Sequence, residues 1–324
     1  MKEKGLYIFL ASLAVAIAAI IVADFSSGTA EKGQGNPYAL NIEEYKSVDP
    51  ALIHYREVRN IRLQCEHPKA IAYANGRLYL GADSFLQTIT PDGREILKVS
   101  LPASPQCLYP SVDGNIYVAF RSHIEVLGPT GKPSARWEHM GEQSVITSIA
   151  VKDGILFAAD AGQRRIARFS VADGQLMGYF EGKRGKGAFQ GFVVPSPTFD
   201  VAVNSDGELW AVNPGNHSFE QYTNDGALRT YWENLSQTIE GFTGCCNPAH
   251  LAFLPDGSFV TSEKRLVRIK VHRPSGELAS VVAPPEKFED NGKAPDIAVS
   301  PEGIIYALDL DRKMVRVFEK IGAS

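Results

Sequence analysis

Three ionisable residues, Asp200, His250 and Asp296, each open a short apolar run, DVAV, HLAF and DIAV, and each run leads into an acid-glycine turn. Two carboxylates and an imidazole at matched positions make an acidic N/O donor set suited to one divalent cation. Glu263, which closes the run FVTSE shortly after His250, would complete it. A metal held there could activate a water for hydrolysis or elimination. The same groups could equally line a water-filled channel, where solvent satisfies them.

The four cysteines fall at comparable places: Cys65 in LQCEHP, Cys107 in SPQCLYP, and the adjacent pair Cys245-Cys246 in GFTGCCNPAH. Their spacing is not that of a zinc ribbon, a CxxC redox pair or a haem attachment. In an oxidising compartment Cys245-Cys246 could close a vicinal disulfide, and Cys65 could bridge Cys107. Held reduced, Cys245 and Cys246 with His250 and Cys107 would form a redox centre or a soft site for Cu(I) or zinc.

The elements that position these residues are marked by six glycine turns: Asn75-Gly76, Asp113-Gly114, Asp153-Gly154, Asp206-Gly207, Asp256-Gly257 and Glu302-Gly303. Short β-favouring runs flank each one, and all but the last are followed by a second turn glycine, at Gly93, Gly131, Gly174, Gly226 and Gly276. Double punctuation with this period predicts an all-β fold, a six-bladed β-propeller of four-stranded blades. The sixth unit stops after its third strand, MVRVFEK, and the strand-like segment YREVRNIRLQ at residues 55–64 is expected to supply the missing one. Closing the ring in this way removes exposed sheet edges.

Aligned on the turns, the residues opening the inner strands are Ala70, Cys107, Ser148, Asp200, His250 and Asp296. Those closing the second strands are Asp83, Arg121, Asp160, Asn213, Glu263 and Asp309. Both rows should face one mouth of the channel. The carboxylates of Asp83, Asp160 and Asp309 are expected to accept local backbone N–H groups. Arg121 and Glu263 depart from that pattern and are better placed to meet a ligand. The long loops 181–197, 234–248 and 283–295 lead into the last three blades, and Phe189, Phe192, Phe242 and Phe288 on them would roof the mouth or pack the loops down.

With 324 residues, 44% of them hydrophobic, the chain can bury one large core. A net charge of −4 provides no basic stripe for a phosphate backbone, so nucleic acid is not an expected partner. Residues 5–23 carry no charge and follow Lys2, Glu3 and Lys4, a pattern for a single membrane span with the remainder outside the cytoplasm. The alternative is a signal segment cleaved near Ala30. The expected organisation is an anchor or signal at 1–24, a linker at 25–54 and the propeller at 55–322.

The stretch FEGKRGKGAFQGFVVPSPTFDVAVNSDGELWAVNPGNHSFEQYTNDG, with its aromatics, spaced glycines, proline and D-G turn, resembles an NHL repeat. GCCNPAH followed by PDGSFVTSEK resembles a bacterial subset of NHL-repeat proteins. That resemblance implies a six-bladed propeller whose relatives include protein-binding platforms, lyases and metal-dependent hydrolases. The carboxylate row is similar in kind to the metal position of gluconolactonase-type propellers. The expected function is a membrane-tethered, extracytoplasmic module that binds a protein partner or small ligand at the mouth defined by Cys107, Arg121, Asp200, His250, Glu263 and Asp296. The alternatives are a lyase or hydrolase with one divalent metal ion, and a redox or metal-handling protein using Cys245-Cys246.

Overall fold

A computed structural model describes residues 45–182 and 191–322. Its strands form six four-stranded antiparallel sheets. Blade one is built from Pro68–Ala74, Arg77–Ala82, Phe85–Ile89 and Glu95–Ser100. Blades two to five begin with Cys107–Pro110, Ile146–Lys152, Val201–Val203 and His250–Phe253. Blade six comprises Asp296–Val299, Ile305–Asp309 and Met314–Lys320. Each inner strand touches the inner strands of both neighbouring blades, and the last touches the first, so the sheets close a ring.

Burial follows from this layout. The second strands Leu209–Asn213, Phe259–Glu263 and Ile305–Asp309 are buried at every position, because neighbouring blades cover both faces. The outer strands Glu95–Ser100 and Leu228–Glu233 are largely exposed at the rim. Apolar clusters sit between blades: Ile71, Leu78 and Leu80 of blade one pack against Tyr306, Leu308 and Val315 of blade six. This burial is the main favourable contribution to the ring.

The two glycine series serve different ends. At the first turns Gly76 and Gly154 a Cβ would meet nothing, so glycine is needed there only for its positive φ of 71° and 74°. At the second turns glycine is needed also for space. A Cβ on Gly174 would lie 2.4 Å from the Trp137 ring, one on Gly131 2.3 Å from Val99, and one on Gly226 2.5 Å from Phe180. In each case the outer turn of one blade presses on the outer strand of the blade before it.

The fourth strand of blade six is Tyr55–Arg62, which pairs antiparallel with Met314–Lys320 from Tyr55↔Lys320 to Arg62↔Met314, with a bulge between Glu57 and Arg59. Arg316 fastens this closure. Its guanidinium donates to Glu57 Oε1 at 2.9 Å and Oε2 at 2.7 Å, and to the Lys287 carbonyl at 2.8 Å. The membrane segment at residues 5–23 lies outside the described residues. Among those described, no helix is long and apolar enough to cross a membrane.

Arg316 is 2% exposed. Arg316→Ala, which leaves Glu57 and Asp309 without their cation, should therefore lower stability by about 3 kcal/mol in urea denaturation. Arg56→Ala, which removes an exposed pair with Glu319 at 3.6 Å, should leave the midpoint unchanged.

Candidate functional site

Of the six residues opening the inner strands, Cys107, Ser148, Asp200, His250 and Asp296 line the channel, whereas Ala70 packs into the apolar cluster between blades one and two. Asp200 accepts the N–H of Leu251 on the next blade at 2.7 Å and that of Val201 at 2.9 Å. Asp296 accepts from Ile71 on blade one at 2.8 Å and from Ile297 at 2.9 Å. Ser148 Oγ bonds Val201 N and O at 3.2 Å. These side chains occupy the exposed edges of inner strands, whose N–H groups would otherwise lack partners. His250 stands between the two carboxylates, with Nδ1 3.6 Å from an oxygen of each.

The electrostatics favour bound protons. Burial, reinforced by the charge of Asp200, pushes the Asp296 carboxyl up to about 6 even though His250 attracts its anion. Burial works against a charged His250, but the close approach of Asp200 and the charges of both carboxylates prevail and raise its pKa. Cys107 also lines the channel. Burial first, and then Asp296 and Asp200, push its thiol well above the ordinary value, so it is a poor nucleophile.

A cavity of about 750 Å³ runs along the inner strands from this polar ring to the hairpin turns at Asn75, Val112, Ser205, Pro255 and Pro301. Its wall includes the partly exposed Tyr73, Tyr109 and Phe253. Sequence alignment by strand openings missed these residues, which lie two or three positions after Ala70, Cys107 and His250. Their common signal is a large aromatic in the short inner run of blades one, two and five.

Glu263 is not part of this constellation, and the four-residue cation set does not assemble. Its carboxylate is buried among blade-five cations: Arg268 donates to it at 2.7 and 3.0 Å, and Lys270 Nζ lies 2.9 Å away. Arg268 and Lys270 also donate to the Gly241 carbonyl, which fixes the loop leading into the blade. The physical reason is local: Glu263 pairs directly with Arg268 across the strand hairpin. Among the described residues, no group of three or more His, Cys, Asp or Glu is arranged to hold a metal ion. Arg121 is exposed and does not line the channel cavity; its carbonyl accepts the Ile146 N–H at 2.8 Å.

In the rest of the second row Asp83, Asp160 and Asn213 clamp the lead-in loops, whereas Asp309 caps the turn after its own strand. Asp83 accepts from Glu66 N and His67 N, Asp160 from Val145 N and Ser144 Oγ, and Asp309 from Arg312 N. Asn213 accepts from Val193 N at 2.8 Å. Phe192, Phe242 and Phe288 are buried and pack the loops down. Phe189 lies outside the described residues.

All four cysteines are free thiols, so neither the Cys65–Cys107 bridge nor the vicinal disulfide is formed. Cys65 lies among Asp83, Glu66 and Lys313, an environment distinct from the channel wall where Cys107 faces Asp296. Cys245 and Cys246 Sγ are 3.2 Å apart, in hydrogen-bond contact. Burial opposes ionisation of Cys246, but hydrogen bonds from Ser196 and Cys245 and the Lys264 ammonium outweigh it and lower its pKa.

No protein-family model matches this chain, and no curated protein does. Solved structures do. A streptogramin B lyase is 15% identical over 84% of this chain and all of its own, with a TM-score of 0.59. A catalytically inactive virginiamycin B lyase from Staphylococcus aureus with quinupristin is 17% identical over 83% of this chain and 90% of its own, at 0.56. The WD40 β-propeller domain of Doa1 is 13% identical over 79% and 80%, at 0.53. The fold is a β-propeller. At these identities the likeness is one of architecture alone.

Glu263→Gln, which strands Arg268 and Lys270 in the interior, should lower the urea midpoint by an amount equivalent to about 3–5 kcal/mol. Because Asp296 and His250 hold protons more tightly when folded, their contribution to stability must fall as pH rises. For Asp296 the loss spans its ordinary 3.8 to about 6, and for His250 it begins above the ordinary 6.5. Denaturation midpoints of Asp296→Asn across that range should lack the lower step.

Proposed function

We propose that this chain is an extracytoplasmic NHL-type propeller, tethered to the membrane through residues 5–23, that binds a ligand or an extended protein segment in its central channel. The observation that carries this reading is the channel cavity of about 750 Å³, with apolar residues along its wall and polar groups at both ends. Such a wall with a few fixed polar groups is the usual construction of a binding pocket. Tyr73, Tyr109 and Phe253 supply rigid aromatic surface, which gives contact area at low entropic cost. The oxygens of Asp200 and Asp296 are already engaged by backbone N–H groups. They are therefore better suited to holding the shape of the pocket end than to binding and releasing a cation.

The localisation rests on the uncharged run with lysines on its N-terminal flank. The fold supports binding because a closed ring of blades presents a rigid, preorganised surface.

A photo-crosslinking residue placed at Phe253 in intact cells should give a discrete adduct in the membrane fraction. The same residue at Met177, exposed on an outer strand, should give none. Equal labelling at the two positions, or recovery of the whole chain from the cytoplasmic fraction, would overturn the reading.

A further inference from the structure

The loop leading into blade five holds a second, chemically distinct centre that channel binding does not use. Cys245 is exposed and Cys246 half-buried beside it, with their sulfurs 3.2 Å apart. Adjacent thiols on a loose loop would rarely hold a fixed relation to a third group, but this loop is pinned from beneath by a buried amide. Asn247 Oδ1 accepts the Lys264 N–H at 2.9 Å, while its Nδ2 donates to the Lys264 carbonyl at 3.2 Å and the Thr243 carbonyl at 2.9 Å. His217 Nδ1 bonds the Asn247 carbonyl at 2.8 Å from blade four. The backbone of Lys264 is thus locked to the backbone that carries the thiols.

The Lys264 side chain then donates to Ser196 Oγ, which hydrogen-bonds Cys246. One sulfur of the pair therefore faces a fixed ammonium and a hydroxyl, while the other is open to solvent. Cys65 and Cys107 lack this arrangement and have their thiols pushed up by burial. A cation would meet the Lys264 charge here, so this is a poor site for a soft metal. A positive charge beside a thiol instead favours the thiolate, the form that attacks disulfides.

We propose that Cys245-Cys246 is a thiol–disulfide exchange site that reduces an exposed disulfide of an extracytoplasmic protein or small molecule, with Cys246 as the attacking sulfur and Cys245 as the resolving one. In the first step the Cys246 thiolate attacks one substrate sulfur. An S–S bond forms between Cys246 and that sulfur, the substrate S–S bond breaks, and the second substrate sulfur leaves as a thiolate. In the second step Cys245 loses its proton and attacks Cys246 Sγ. The vicinal disulfide forms, the mixed disulfide breaks, and the first substrate sulfur leaves. Two protein thiols are oxidised by two electrons and one substrate disulfide is reduced to two thiols, so the exchange balances without another reactant. The proposal rests on the extracytoplasmic location proposed above but not on occupancy of the channel.

The test uses dithiobis(nitrobenzoate), a small aromatic disulfide, on the full chain carrying Cys65→Ser to silence the other accessible thiol. Release of two thiolate equivalents per chain, with mass spectrometry locating a disulfide between Cys245 and Cys246, is the expected result. With Cys245→Ser added, reaction should stop at one equivalent and leave a mixed disulfide on Cys246. Lys264→Gln should slow the first equivalent about tenfold at neutral pH and move the rate–pH profile upward, while Lys264→Arg restores both. Circular dichroism of each variant separates these effects from unfolding. Preferential attack by Cys245, a stable mixed disulfide with both cysteines present, or a profile indifferent to Lys264 would each overturn the proposal. None of these outcomes bears on crosslinking at Phe253, so the two readings fail separately.

Discussion

The pairing of Tyr55–Arg62 with Met314–Lys320 is the constraint on which the rest of this structure depends. A ring of sheets has no intrinsic reason to stay closed, because each blade buries its faces only against its two neighbours. An unclosed ring would leave two blade faces and one strand edge exposed to water. Here a segment far away in sequence supplies the last strand, and Arg316 ties it bidentately through Glu57. Closure thereby fixes the circumference, and the circumference fixes how near the inner strands approach one another.

Inside that circumference, side chains at strand openings do for neighbouring blades what backbone pairing does within them. Asp200 and Asp296 reach across to Leu251 and Ile71, and the imidazole of His250 sits between them. These groups have the composition of a metal site but the connectivity of a joint. The buried Glu263, Arg268 and Lys270 act similarly one layer out, where they hold the loop that ends in Cys245-Cys246. The polar groups of this propeller are thus largely invested in holding loops and strands. What remains open is the aromatic channel wall and one thiol pair.

The sequence was most informative where geometry follows from local chemistry. Glycine turns with alternating strands count the blades, since turn conformation is decided by the residues in the turn. The closing strand was legible by subtraction, because the sixth unit lacked one. Convergence of Asp200, His250 and Asp296 was legible because equivalent positions in a repeat share one end of the channel. Glu263 was misread because its fate depends on Arg268 and Lys270, two residues of the next strand whose inward direction only the register reveals. Lys264 and Ser196 were invisible as a pair for a related reason: they come from loops of different blades, and no spacing connects them. The thiols could not be assigned to a bridge or a free state without knowing what each faced.

The close contacts of Gly131, Gly174 and Gly226 with Val99, Trp137 and Phe180 lie at the outer rim, as far from the channel as the blades extend. A wedge acts there with its longest lever. Any thickening at one of those contacts would splay two blades about their inner edge, rotating rather than translating them. The carboxylates at the inner edge would then change direction before they changed distance. The outermost glycines thus calibrate the aim of the innermost side chains.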